Sequence, residues 1–329
     1  MAALAANLGI ALTKFVAFAL TGSASLLAEA VHSVADSGNQ ALLLTGRRRA
    51  RRAETGEHPF GFGGERYFYA FLVAVVVFTV GAVFSCYEGI QRIRHPEHLT
   101  APVVAFGVLG VAIVLESFSL WNAVREASPS RGRASWLVFI RRTKAPELPA
   151  VLLEDVAALS GLLLALIGVT VATVTRDDRF DAAGSIAIGV LLACVAVVLA
   201  TEMKSLLIGE SASPAVQAAI VAAIEAGPEV QRVIHLRTLH VGPDTLLVAA
   251  KIGVRHDDSA RSVAAGIDAA ERRIRAAVPI AELIFLEPDI YQPGRDDPGD
   301  PAVTAASAAR RRSLRSAAAV RRAARRRPG

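Results

Sequence analysis

His32 and Asp36 stand four residues apart in the stretch SLLAEAVHSVADSGNQ (residues 25–40), and Glu29 precedes His32 by three. On a helix rising about 1.5 Å per residue, this spacing stacks an imidazole and a carboxylate one turn apart on one face. A neutral imidazole nitrogen and a carboxylate oxygen are good ligands for zinc and similar divalent ions. The bland alternative is a structural hydrogen bond between the two. A second pair, Glu154 and Asp155, lies in PAVLLEDVAALSG, immediately inside another apolar run. These carboxylates either cap a first helical turn, where they are favourable, or complete a site that two residues alone leave short of tetrahedral. Histidine titrates near neutrality and a bound metal excludes the proton from its ligand nitrogen, so one such site can alternately hold a metal ion and protons.

The elements that must position these groups are membrane helices. Hydrophobic residues make up 53% of the 329, too many for a typical soluble chain. Apolar runs fall at about 7–27, 31–46, 68–90, 102–124, 150–173 and 182–203, and several reach the ~20 residues that span the hydrocarbon. The second run holds His32, Asp36, Ser37, Asn39 and Gln40, so it predicts a helix enclosed by the others. Ionisable side chains are expensive in hydrocarbon and usually face a protein interior or an ion path. The loops carry the orientation. Arg47, Arg48, Arg49, Arg51 and Arg52 crowd the second, and Arg125, Arg131, Arg133, Arg141, Arg142 and Lys144 the fourth. The first has no basic residue, the third Arg92 and Arg94, the fifth Arg176 and Arg179. Basic even loops predict both termini in the cytoplasm, for an integral protein of the cell (inner) membrane. Residues 136–140, apolar and bounded by arginines, predict a short helix lying at the interface.

After Lys204 the pattern changes. Residues 214–226 and 258–277 read as amphipathic helices, and 229–240, 244–254 and 280–286 as strands, with a turn at GPD (242–244) and EPD (287–289) closing the last strand. The fold class is therefore a polytopic α-helical membrane protein with six transmembrane helices plus a C-terminal cytoplasmic α+β domain of order α-β-β-α-β. The domains are 1–204, 205–291 as a dimerisation domain, and a disordered Arg-rich tail at 292–329. Nine arginines and no acid lie in 301–329, so the first 300 residues hold 27 basic against 30 acidic side chains. The net charge of +6 thus comes from the tail, which suits anionic lipid better than nucleic acid. Cys86 and Cys194 read as small helix-packing residues. No phosphate loop, dinucleotide fingerprint or HExxH occurs, and no prosthetic group is expected. Asp181, Glu88, Glu116 and Asn7 are weaker membrane-interior polar groups. His235 and His240 sit five apart on one strand, hence on opposite faces, and with His256 read as ordinary surface histidines.

The whole pattern resembles the cation diffusion facilitators over nearly all of residues 7–290. LTGSASLLAEAVHSVADSGNQALLLTG looks like that family's first loop and second helix, with His32 and Asp36 on its His-x-x-x-Asp positions. HPFGFGGERYFYAF (58–71), YEGIQRI (87–93) and DAAGSIAIGVLL from Asp181 resemble its third and sixth helices. The resemblance implies a homodimer that moves zinc, or else manganese, iron or cobalt, out of the cytoplasm against protons, as a secondary transporter and not an enzyme. It implies a metal site on His32, Asp36, Asp155 and Glu154. Asp155 matches the family's helix-five Asp, but Val151 stands where the His belongs, and Glu154, water or an altered site must answer for it. The LLEDxAALxG pattern resembles a divergent branch that includes the animal zinc transporter nine proteins. His235 and Glu287 match the family's cytoplasmic metal ligands while Lys251 replaces another, which argues against a second cation there. A transport-inactive membrane protein of the same fold is the alternative reading, and a membrane-embedded metal hydrolase a third.

Overall fold

The computed structural model describes residues 2–95, 102–132 and 134–292. The expected Arg-rich tail and Arg133 lie outside the described residues, as do the side chains of Asn7, Asp36 and Arg142. The chain forms two compact units, one of residues up to Ala53 with Gly64–Leu207, the other of Glu54–Gly63 with the chain from Ile208.

The first unit is a helical membrane bundle. Helix α1 (Ala2–Thr21) stops at Gly22, whose φ of +67° suits glycine, and α2 (Ala24–Ala50) starts at Ser23, whose hydroxyl accepts from the Leu26 N–H. Two adjacent residues thus end one helix and begin the next. Helix α2 buries Glu29, His32, Ser33, Ser37 and Asn39, as expected of a polar segment enclosed by apolar neighbours. It runs further than its apolar part. Arg47, Arg48 and Arg49 form its last turn instead of a loop, because cations there meet the negative end of the helix dipole and Arg47 reaches Glu147 at 3.2 Å.

Helix α3 (Glu65–Arg94) carries one π turn at Val73–Val77. Helix α4 (Pro102–Arg131) tolerates Pro129 near its end, and α5 (Trp136–Arg142) is the short helix expected in the fourth loop, capped by Ser135. Helices α6 (Glu147–Thr175) and α7 (Arg179–Ile208) complete the bundle. Four of these, α3, α4, α6 and α7, are long and apolar enough to cross a membrane. With α1, whose described apolar part is Gly9–Thr21, and the polar α2, they make six. The chain is a polytopic helical membrane protein.

Close approach of α3 and α7 depends on glycine. A Cβ on Gly89 would lie 2.7 Å from the Ala182 carbonyl oxygen, and one on Gly189 would lie 2.9 Å from that of Ala82. Small residues allow such backbone contact where hydrocarbon provides no hydrophobic drive. Cys86 packs in this seam, whereas Cys194 is exposed.

In the second unit α8 (Pro214–Ile224) begins at the Ser213 cap, with Pro at its start. Strands β1 (Arg232–Gly242) and β2 (Thr245–Gly253) form an antiparallel hairpin around Pro243 and Asp244. Helix α9 (Ala260–Ala277) crosses to β3 (Leu283–Asp289), which pairs parallel to β2. The α-β-β-α-β order matches expectation, and Ile220, Ile224, Leu236, Leu246, Val248 and Ile274 form its core. One boundary differs. EPD (287–289) belongs to β3, because Glu287, Pro288 and Asp289 pair with Lys251, Ile252 and Gly253; a proline at this position sits on an edge strand, where its missing N–H costs no ladder bond.

Candidate metal centre

Helices α2 and α6 run antiparallel and touch at three levels. Arg47 meets Glu147, Asn39 Nδ2 donates to a Glu154 carboxylate oxygen, and Glu29 Oε1 lies against Gly161. The residue numbers fall on one helix as they rise on the other, so this one seam sets the level of every site residue on both.

Glu154 and Asp155 are 5% and 7% exposed, buried despite being adjacent. A helix turns about 100° per residue, so neighbours can serve different partners on one broad face. Glu154 points to α2 through Asn39, and Asp155 points to α4, where Ser119 Oγ donates to its Oδ1 at 3.1 Å. The capping alternative does not hold for either. Helix α6 begins at Glu147, which supplies the acidic side chain of the first turn. Glu147 is itself clamped by Arg66, at 2.6 and 2.9 Å.

A cavity of about 80 Å3 joins the two carboxylates to Gln40, Glu116, Ser119 and Val151. It carries oxygen donors suited to a hard or borderline divalent ion. Val151, in the position that the resemblance assigns to a His, lines this cavity without a donor. Glu116, one of the weaker polar groups of the sequence, lines the same cavity.

His32 is buried on α2, its ring 6.5 Å from that of Phe78, but it does not line this cavity. Asp36 follows one turn later, between the levels of His32 and Asn39. Among the described residues, no three His, Cys, Asp or Glu side chains converge on one point at metal distance. The structure thus brings Glu154 and Asp155 together, and sets His32 nearly two turns along α2 from the Asn39 contact.

Two residues that the sequence reading passed over matter here. Asn39 was legible only as a polar residue, since its partner depends on helix register. Lys14 is the one base in the first apolar run. Its Nζ reaches Glu29 Oε2 at 3.2 Å and Ser33 Oγ at 2.8 Å. Asp181 is no ligand candidate: its carboxylate accepts from Ser23 Oγ at 2.9 Å and from the Ala24 N–H at 2.7 Å, capping α2 from α7. Glu88 pairs with Arg92 at 2.9 Å, and Arg92 donates to the Gly22 carbonyl.

In the second unit His235, Lys251 and Glu287 form one row across the sheet. Lys251 lies 3.3 Å from Glu287 and 3.0 Å from Asp289. Asp289 and Glu287 together hold its ammonium above the ordinary lysine range. A cation attached to the chain therefore already meets these carboxylates. His235 and His256 are exposed, as expected, and His240 lies on the opposite face of β1 from His235; but His240 is buried and not a surface histidine, because that face of the strand packs inward.

A family profile described as the cation efflux transmembrane domain matches residues 1–208. The chain is 31% identical over 242 residues to the mitochondrial proton-coupled zinc antiporter SLC30A9 of Xenopus laevis, covering 73% of this chain and 43% of that one. To the same antiporter of Homo sapiens it is 30% identical over 232 residues, covering 70% and 41%. To metal tolerance protein C4 of Arabidopsis thaliana it is 32% identical over 200 residues, covering 60% and 44%. The chain spans less than half the length of these relatives. With the profile spanning the six helices whose α2–α6 seam holds the buried carboxylates, the chain belongs to the cation-efflux family.

Proposed function

We propose that the chain is a secondary transporter that moves a divalent cation, zinc first, out of the cytoplasm in exchange for protons. Manganese, iron and cobalt are the other candidate ions. One observation carries the reading. Glu154 and Asp155 lie buried two turns inside a membrane helix and line one polar cavity. Carboxylates at that depth are costly unless they pair or serve an ion path. The relatives named as proton-coupled zinc antiporters supply the ion and the coupling.

In this mechanism the metal is held by His32 and Asp36 from α2 and by Asp155 and Glu154 from α6. It is reached alternately from either side, and the protons that replace it neutralise the same groups. Because His32 and the Glu154–Asp155 pair stand at different levels, loading requires α2 to shift along α6 or the ion to pass from one to the other. A homodimer in the cell (inner) membrane, both termini cytoplasmic, completes the reading, with ten arginines at 47–52 and 125–142 in the even loops against four in the odd ones.

Zn2+-driven proton flux in proteoliposomes tests it, with wild type beside Asp36→Ala and Asp155→Ala. Loss of flux in both variants is expected. Flux that survives both substitutions refutes the site. Val151 favours a second reading, a transport-inactive protein of the same fold, and wild-type vesicles without flux would establish that one instead.

A further inference from the structure

Lys14 and Glu29 are a lysine and a glutamate enclosed inside a membrane bundle, 1% and 0% exposed. Two buried charges are expensive even when paired, and an apolar pair would fill the same space at lower cost. Their position gives the pair a use. Glu29 lies one turn before His32 on α2, and Ser33, which also accepts from the Lys14 ammonium at 2.8 Å, follows His32 directly.

The two oxygens of Glu29 differ. Oε2 meets Lys14 at 3.2 Å, whereas Oε1 is fully buried and receives no hydrogen bond. Oε1 faces α6 at Gly161, so closely that a Cβ there would collide with it. A carboxylate oxygen is thus left unpaired on the seam that carries Glu154 and Asp155. Lys14, in turn, lines a groove of about 770 Å3 between α1 and α4, with Thr13, Gly107, Val108 and Val111.

We propose that Lys14 is an exchangeable internal cation. It neutralises Glu29 while the site is empty and gives up Glu29 Oε2 to an arriving divalent ion, keeping its hydrogen bond to Ser33. Glu29 is then a carboxylate station on the ion path, one turn from His32. The inference rests on the transport reading above, and deepens it by adding a residue and a competitor for the ion.

Charge compensation alone and ion exchange differ in the double variant. If the pair only compensates, Lys14→Gln with Glu29→Gln restores wild-type behaviour. If Glu29 is a station, the double variant lacks it and resembles Glu29→Gln. The measurement is Zn2+-driven proton flux in vesicles of the full chain, resolved into KM and kcat, with elution volume and melting temperature as checks of folding. Lys14→Gln is expected to lower the KM for Zn2+ and to lower kcat as well, because no ammonium returns to displace the ion. Glu29→Gln and the double variant are expected to raise KM by about tenfold or more, the worth of one charged contact. Should either single variant fail to fold, the double variant alone decides, since it buries no unpaired charge. A double variant with wild-type KM and kcat overturns the inference and leaves the transport reading intact. Wild-type vesicles without flux overturn both.

Discussion

Asn39→Ala tests the α2–α6 seam at the level of the carboxylates. Asn39 is 1% exposed, and its amide donates to Glu154, which is itself 5% exposed. A hydrogen bond to a charged group contributes about 1.5–3 kcal/mol, and leaving a buried carboxylate oxygen without its donor costs a similar amount. The substitution should therefore cost about 2 kcal/mol, roughly a thirtyfold change in the folding equilibrium. The assay is a double-mutant cycle with Glu154→Gln, read as reversible unfolding in detergent micelles. If the two side chains meet as described, the single losses exceed the double loss by 1 kcal/mol or more, about the coupling of residues in one network. Losses that add within about 0.5 kcal/mol would show that Asn39 and Glu154 do not touch and would refute the seam's register.

Other outcomes follow from the same geometry. Glu147→Ala removes the carboxylate that Arg66 and Arg47 share at the ends of α2, α3 and α6; a loss of about 3 kcal/mol is expected, at the low end for a broken buried pair because Arg47 is half-exposed, and an unchanged melting temperature would contradict the clamp. Gly89→Ala forces a methyl to 2.7 Å from the Ala182 carbonyl and should cost about 1–3 kcal/mol, whereas Gly107→Ala, with nothing within 4 Å, should cost nothing in the same melt and gain up to about 1 kcal/mol of helix propensity. Lys251 is held above its ordinary value of 10.5 by Asp289 and Glu287, so its pairing stabilises fully below that value and is lost as pH rises through the raised one. Protection of the β3 amides against hydrogen exchange should accordingly carry no pH dependence from this pair near neutrality, and Lys251→Met should remove the pH-dependent loss above about pH 10.5.

Local chemistry was legible from the residues. The α-β-β-α-β order followed from alternation and the GPD turn, while the serine caps at Ser23, Ser135 and Ser213 emerge only with the helix ends in view. What escaped depends on neighbours distant in the chain. Arg47 reads as a loop residue until Glu147, a hundred positions on, holds it in the last turn of α2. The strand character of Glu287–Asp289 follows from β2 beside it, against the ordinary meaning of a proline. Glu154 and Asp155 were legible as a buried acidic pair, but not that one faces α2 and the other α4. Nor could composition reveal that His32 and the cavity stand at different heights, since that needs the level at which two helices cross.

The π turn in α3 has a consequence for how this helix is read. A wide turn holds one residue more than an α turn, and one residue corresponds to about 100° of rotation. Before Val73–Val77 the helix sets Tyr69 against Gly46 of α2; after it, Gly81 and Gly89 face Leu192 and Ile186 of α7. The extra residue acts as a phase shifter, letting one continuous rod serve two neighbours whose faces are out of step. Losing a single valine there would straighten the ladder and turn the entire second half of the rod, so five ordinary-looking aliphatic residues govern contacts four turns away.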